Sequence, residues 1–183
     1  YHNHINSVAT TIAMRDTIAF VIGNYFLTTF VLGLLLGWIS LSRRPRPRTP
    51  NVKVESFLSW YMLLAIGVSN LINFVFHVFF GEMTARFIGW ADSPFQREVG
   101  FASLGMGIAG MLAFRAGLPF RFAALIPPAV FMLGAAGGHV YEMIAADNYS
   151  FGNVGLVLPS DIIIPIAGFI LIRLSYKHPM PSR

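Results

Sequence analysis

Residues 57–80, FLSWYMLLAIGVSNLINFVFHVFF, decide the fold class of this chain. The stretch contains no Asp, Glu, Lys or Arg, and it exceeds the roughly 20 residues that a helix needs to cross a bilayer. Four further segments have a similar apolar character, namely residues 17–41, 95–114, 122–146 and 160–176. The pattern predicts an all-α integral membrane bundle of about five transmembrane helices. The alternative is four such helices and one re-entrant segment.

The composition supports a membrane protein. Hydrophobic residues make up 55% of the chain and charged residues only 11%, whereas a soluble domain usually has about 25% charged residues. At 183 residues, a single bundle spanning residues 1–183 is expected. The chain has no cysteine, which excludes disulfides, thiolate ligation, iron–sulfur clusters and c-type haem. It begins at Tyr1 and not at Met, so we expect further residues ahead of it.

Basic residues are distributed unevenly over the predicted loops. If the N-terminus is outside, three lie on the outer side (Arg15, Arg86 and Arg97). Ten lie on the cytoplasmic side, namely Arg43, Arg44, Arg46, Arg48, Lys53, Arg115, Arg121, Arg173, Lys177 and Arg183. Short cytoplasmic loops carry the excess of Lys and Arg, so the count predicts an N-out, C-in, multi-pass protein, placed in a bacterial inner membrane.

The net charge of +5 and the pI near 10.0 are therefore interpreted as topology signals. We expect the lipid bilayer as a partner, together with other membrane proteins or further copies of this chain, and no nucleic acid. Residues 81–92 are expected to form a short interfacial helix on the outer leaflet.

A candidate site lies in the predicted fourth helix, where His139 and Glu142 are three residues apart and share a helix face. Ionisable groups inside a membrane are costly and usually face a partner or a cavity. Glu142 lies in the last turns of its helix, where the dipole disfavours an anion. It is therefore expected to need a cation or a proton.

Three more potential ligands, His77, Glu98 and Asp161, are predicted to lie at the same outer end. A mononuclear iron, copper or zinc ion could be held there by His139, Glu142, Glu98, His77 and Asp161. Alternatively, a b-type haem could be ligated by His77 and His139. The competing interpretations are structural. Asp161 could cap the last helix, and Asn70 and Asn73 could bond neighbouring helices.

Helix boundaries are indicated by local motifs. Ser93-Pro94-Phe95-Gln96 matches a capping box with Pro at the first helical position. Small residues in the third and fourth segments are typical of close helix packing. They include Gly105, Gly107, Gly110 and residues 134–138.

Three short motifs resemble a family of small prokaryotic membrane proteins that is catalogued as a domain of unknown function. They are Ser93-Pro94-Phe95-Gln96-x-Glu98-x-Gly100, then Gly138-His139-x-Tyr141-Glu142, then Gly152-Asn153-x-Gly155 with Asp161 and Pro165. The resemblance covers roughly the C-terminal half of the chain. It implies a membrane fold of several helices and supplies no activity.

Two functional hypotheses follow. In the first, an outer-leaflet cavity binds a metal, a haem or another redox ligand through the His and carboxylate residues. In the second, the chain is a non-catalytic accessory subunit of a larger membrane complex. Transport is less favoured, because Glu55 is the only acid in the cytoplasmic half. Whether the protein is an enzyme stays open, since the sequence contains no nucleophile elbow, phosphate loop or paired catalytic carboxylates.

Overall fold

The computed structural model of the chain describes residues 14–180, which are mainly helical and contain no β-strand in that range. The helices are α1 (Tyr25–Ser42), α2 (Pro50–Phe79), α3 (Gly81–Ile88), α4 (Phe95–Ala113), α5 (Leu118–Ala145), α6 (Phe151–Val154) and α7 (Val157–Lys177). Residues 14–23 are also helical, and a turn at Asn24 separates them from α1. The predicted all-α bundle is confirmed.

Within residues 14–180, four helical segments are long and apolar enough to cross a membrane: α1, α2, α5, and α6 together with α7. Helix α4 has 19 residues, but its first turn contains Gln96, Arg97 and Glu98, which lower its hydropathy. It packs along the second half of α2. The sequence predicted about five transmembrane helices, and within residues 14–180 four segments meet the length and hydropathy of a span, with α4 as a fifth long helix.

Close packing between α2 and α4 depends on two glycines. A Cβ atom on Gly110 would lie 2.6 Å from the backbone nitrogen of Gly67, so no larger residue fits without a shift of backbone. Gly105, one and a half turns earlier, would meet nothing within 4 Å. A Cβ atom on Gly107 would lie 3.1 Å from the carbonyl oxygen of Gly67. The packing role predicted for the small residues of this helix therefore holds for Gly107 and Gly110 and not for Gly105.

Helix α2 contains a π-helical segment, Met62–Val68, beside this contact. Such segments are uncommon, and they change which face of a helix the following residues present. Nothing in the apolar sequence MLLAIGV indicated it. The residues that follow, including Asn73 and His77, are placed by this segment.

The buried core lies in the half of the bundle next to the α1–α2 loop. Its centre is formed by α2, α5 and α7, through Leu58, Tyr61, Leu125 and Ile164, all of them fully buried. The Tyr61 hydroxyl donates a hydrogen bond to the Ile164 carbonyl at 2.8 Å. Burying these side chains stabilises the bundle against separation of the three helices, mainly through packing.

An ion pair holds the same half together. Arg121, 3% exposed in the first turn of α5, donates to both carboxylate oxygens of Glu55 at 2.7 and 2.9 Å and to Ser59 at 3.0 Å. It also donates to the carbonyls of Ala113 and Phe114 at 2.9 and 2.8 Å. Arg121 therefore satisfies carbonyls at the end of α4, which have no partner within that helix. The sequence predicted only a cytoplasmic charge here.

Several helix boundaries differ from the prediction. Ser93 does not cap α4, which begins after Pro94 with no side-chain cap. Asp161 does not cap α7 either, because that helix begins four residues earlier, at Val157. The predicted loop around Lys53 is already helical, since Pro50 starts α2. A helix was expected within residues 81–92, and α3 is found there, ending at Gly89 with a left-handed φ of 83°. Its position on the outer leaflet stays a prediction.

Candidate functional site

A cavity of about 820 Å³ lies at the end of the bundle where α3 joins α2 to α4, called here the α3 end. Most of its wall is apolar and rich in aromatic rings, from Phe26, Phe76, Phe87, Phe95 and Phe131. Polar side chains are fewer, and they are Asn24, Tyr25, Asn73, His77, Thr84, Trp90, Ser93, Gln96, His139, Ser160 and Asp161. An apolar cavity with a few convergent polar groups is the usual form of a small-molecule site.

His139 is held in one orientation by Asn153. The side-chain nitrogen of Asn153 donates to the carbonyls of His139 and Asn148 at 3.2 and 2.8 Å, which fixes the direction of the amide. Its oxygen, 2.7 Å from His139 Nδ1, can only accept, so Nδ1 carries a hydrogen. In the neutral ring Nε2 is then the unprotonated nitrogen.

That Nε2 faces Asp161. The distance from Nε2 to Asp161 Oδ2 is 3.6 Å, and each residue is 4% exposed. The separation is longer than a hydrogen bond. An unprotonated nitrogen and an ionised carboxylate would repel each other at this distance, so the pair needs a proton or another cation. With one such proton the pair is neutral overall.

The indole of Trp90 covers the ring of His139, with centroids 5.8 Å apart and an interplanar angle of 29°. Asn148 fixes the segment before Trp90, because its side-chain nitrogen donates to the Ile88 carbonyl at 3.0 Å. Gly89 passes so close that an added Cβ atom would lie 2.5 Å from Asn148 Oδ1. This contact positions Trp90 over the histidine.

His77 approaches the cavity from α2. Its Nδ1 is hydrogen-bonded to the side-chain oxygen of Gln96, which leaves Nε2 without a protein partner among residues 14–180. One turn earlier, Asn73 accepts a hydrogen bond from the Tyr25 hydroxyl and donates to Ser103 at 2.7 Å. Asn73 thus bonds two neighbouring helices, as predicted.

Asn70 behaves differently from Asn73. Its side-chain nitrogen donates to the Ile66 carbonyl of its own helix at 2.9 Å. The predicted bond from Asn70 to a neighbouring helix is therefore wrong.

The structure brings together only part of the predicted site. His77, His139 and Asp161 line the cavity, whereas Glu98 and Glu142 do not. Glu98 is exposed, and Glu142 is half-buried. Three residues advance a helix by about 300°, so His139 and Glu142 point about 60° apart. Within residues 14–180, no three His, Asp or Glu residues are grouped to hold a metal ion.

Several residues of the site were not predicted from sequence. Asn153, Asn148 and Gln96 orient the rings, and Trp90 covers one of them. The sequence feature that could have indicated them is an amide side chain in a short segment between two apolar helices, as in the Gly152-Asn153-x-Gly155 motif. Their partners lie 14 to 60 residues away in sequence, so spacing alone could not identify them.

A second, polar pocket of about 520 Å³ adjoins the cavity. His77, Ser93 and Gln96 line both spaces, and the second is completed by charged residues that include Glu82, Asp92 and Arg97. The hydrogen-bonded His77 and Gln96 therefore lie between the apolar cavity and a charged outer surface of the bundle.

Residues 23–181 match a family of unknown function, DUF6790, and the chain belongs to that family. The match includes most of the N-terminal half, and so extends well beyond the motifs that suggested the family. Comparison with curated proteins gives no match, and comparison with solved structures gives none.

Proposed function

We propose that this chain is an integral membrane protein that binds a small organic redox ligand in its cavity, with His139, Asp161 and His77 as polar contacts. One observation carries the proposal. Two histidines from different helices each bond an amide oxygen through Nδ1, and both line the same apolar cavity. Bonding Nδ1 in this way orients the ring and leaves Nε2 for a ligand.

The wall of the cavity favours an organic ligand over the metal and haem alternatives. A mononuclear iron, copper or zinc site needs three or more ligands, and residues 14–180 group no such set. A haem carries two propionates, and the described part of the chain contributes no Lys or Arg to the cavity wall. An uncharged organic molecule needs neither three metal ligands nor a basic residue.

The His139–Asp161 pair is the reason for proposing a redox ligand. A histidine and a carboxylate that share one proton can donate it to a bound molecule or accept one from it, and the reduction of many organic molecules requires protons. With the N-out orientation predicted from the charges, the cavity would lie in the outer leaflet of a bacterial inner membrane.

The test is the content of the purified protein. We expect no stoichiometric metal and no Soret band, and we expect a small organic molecule in a solvent extract analysed by mass spectrometry. His139→Gln and Asp161→Asn should lose this molecule. Glu142→Gln is the matched control, because it makes the equivalent change one turn away on α5 but outside the cavity.

Two outcomes would overturn the proposal. Stoichiometric iron with a Soret band that disappears in His77→Ala and His139→Ala would establish haem. If the purified protein carries no ligand and binds none, the accessory-subunit hypothesis becomes the favoured one.

A further inference from the structure

The cavity extends from the histidines towards the middle of the bilayer. Val130 and His139 both line it, and they are nine residues apart on α5, which corresponds to roughly 13 Å along a helix. The polar groups are concentrated at the α3 end. The deeper part is lined by apolar residues such as Leu27, Val130 and Phe131.

The deep part reaches the lipid-facing surface. Val130, near the middle of α5, is 65% exposed although it lines the cavity. Gly134 lies between Val130 and His139 on α5, also lines the cavity, and has nothing within 4 Å of an added Cβ atom. This opening lies along helices long and apolar enough to span the membrane, so it faces acyl chains and not water.

The polar end suits an uncharged, planar group. Among residues 14–180, Asp161 is the only acid on the wall, it faces His139, and no Lys or Arg lines the cavity to balance an anionic ligand. Around this end lie flat side chains, including the stacked Trp90 and His139 and the ring of Phe87. Aromatic rings pack favourably on a planar ligand. His77 and Gln96 add polar atoms beside the second pocket.

From these features, and resting on the proposed function, we propose that the ligand is a membrane quinone. Its neutral ring lies at the α3 end, with its oxygens toward the His139–Asp161 pair and His77. Its apolar tail leaves through the opening beside Val130 and Gly134 into the bilayer. A quinone therefore enters sideways from the membrane.

Binding can be measured through the fluorescence of Trp90. The chain has three tryptophans, so Trp38→Phe with Trp60→Phe leaves Trp90 as the single reporter. We would titrate this protein with a benzoquinone that carries a decyl tail. Saturable quenching is expected, and His139→Gln and Asp161→Asn should raise Kd at least tenfold.

The route is tested by two glycines of one helix. Gly134→Leu should fill the opening and raise Kd at least tenfold. Gly137→Leu is the matched control, because Gly137 also has nothing within 4 Å of an added Cβ atom but does not line the cavity. Its Kd should stay within about twofold. Equal effects of the two substitutions would overturn the route.

Two comparison probes test the ligand class. Phosphatidylcholine with brominated acyl chains should quench Trp90 less once the quinone is bound. If brominated lipid quenches fully and the quinone does not displace it, the occupant is an ordinary lipid and the quinone proposal fails. A tailless anionic quinone sulfonate should bind at least tenfold more weakly, and equal binding would overturn the membrane-quinone assignment.

These results separate the two proposals. If the tailed quinone does not bind, but a different organic molecule is extracted and is lost in His139→Gln, the quinone assignment fails alone. If no probe binds and no molecule is extracted, the proposed function fails with it.

Discussion

The two ends of this bundle bury charged groups in opposite ways. Near the α1–α2 loop, the Arg121 guanidinium makes five hydrogen bonds, to Glu55, Ser59 and two carbonyls. At the α3 end, His139 and Asp161 face each other across 3.6 Å beside a large cavity. The Asp161 carboxylate accepts no hydrogen bond from residues 14–180.

This difference indicates that the end with Arg121 stabilises the fold and that the α3 end is the candidate site. A buried charge with every polar atom paired has no capacity left for a ligand, and its removal costs stability. A buried pair with incomplete contacts is costly to keep, and such groups are typical of functional positions. The number of hydrogen bonds that each charged group makes therefore distinguishes the two ends better than the burial of these groups does.

The largest expected effect is all-or-none and concerns the sides of the membrane that the two ends face. The chain has no cysteine, so Ser42→Cys and Ser93→Cys each give a single thiol. In intact cells an impermeant maleimide should label Ser93→Cys and not Ser42→Cys, because the excess of basic residues predicts that the α1–α2 loop is inside. Permeabilised cells are the control. Labelling of both from one side would overturn the predicted orientation.

The next largest effect concerns Arg121. Replacing it with Met removes the charged donor to the half-buried Glu55 carboxylate and to the carbonyls of Ala113 and Phe114. Removing one partner of such a pair costs about 3–5 kcal/mol, measured by thermal or denaturant unfolding in detergent. Arg115→Met is the control, since Arg115 is exposed and should change stability by less than about 0.5 kcal/mol. Equal losses would show that Arg121 is not part of the scaffold.

A smaller effect compares a packed glycine with an open one. Gly110→Ala places a methyl group against the backbone of Gly67 and should destabilise the protein by about 1–3 kcal/mol. Gly134→Ala projects into the cavity opening and should be neutral, or stabilise by up to about 1 kcal/mol through helix propensity. Unfolding of the two variants under identical conditions measures the contrast. A reversed order would place the tight contact elsewhere.

The smallest effect is expected for Glu142. It is half-buried near the end of α5, outside the cavity, and accepts no side-chain hydrogen bond from residues 14–180. Glu142→Gln removes an anion from the negative end of the helix dipole and should stabilise by about 0.3–1 kcal/mol. A loss of stability would instead reveal a bound cation, as the sequence first suggested.

The apolar runs predicted the fold class because crossing a bilayer requires length and hydropathy, which are local properties. They placed α2 and α5 well, but they did not predict the break at Asn24 or the π-helical segment, which depend on packing. Asp161 was interpreted as a possible helix cap, since nothing local showed that α7 begins at Val157.

The candidate site was partly predictable because the depth of a residue in a membrane helix also follows from the local sequence. His77, His139 and Asp161 were identified as ionisable groups at one depth, and the structure places them around one cavity. Glu98 and Glu142 lie at a similar depth but do not line the cavity. The hydropathy of a sequence predicts how deep a residue lies in the membrane, and it does not predict which neighbour the side chain faces. The orienting amides, Asn153 and Gln96, depend on contacts between distant segments.

The π-helical segment determines the rotation of the second half of α2 relative to the first half. If Met62–Val68 returned to α-helical hydrogen bonding, the part of α2 beyond it would turn by about 100° for each residue absorbed. Asn73 would then lose Tyr25 and His77 would lose Gln96 at the same time, because both contacts depend on one rotation. The segment lies against Gly110, so the tightest helix contact in this half of α2 also determines which groups the cavity presents.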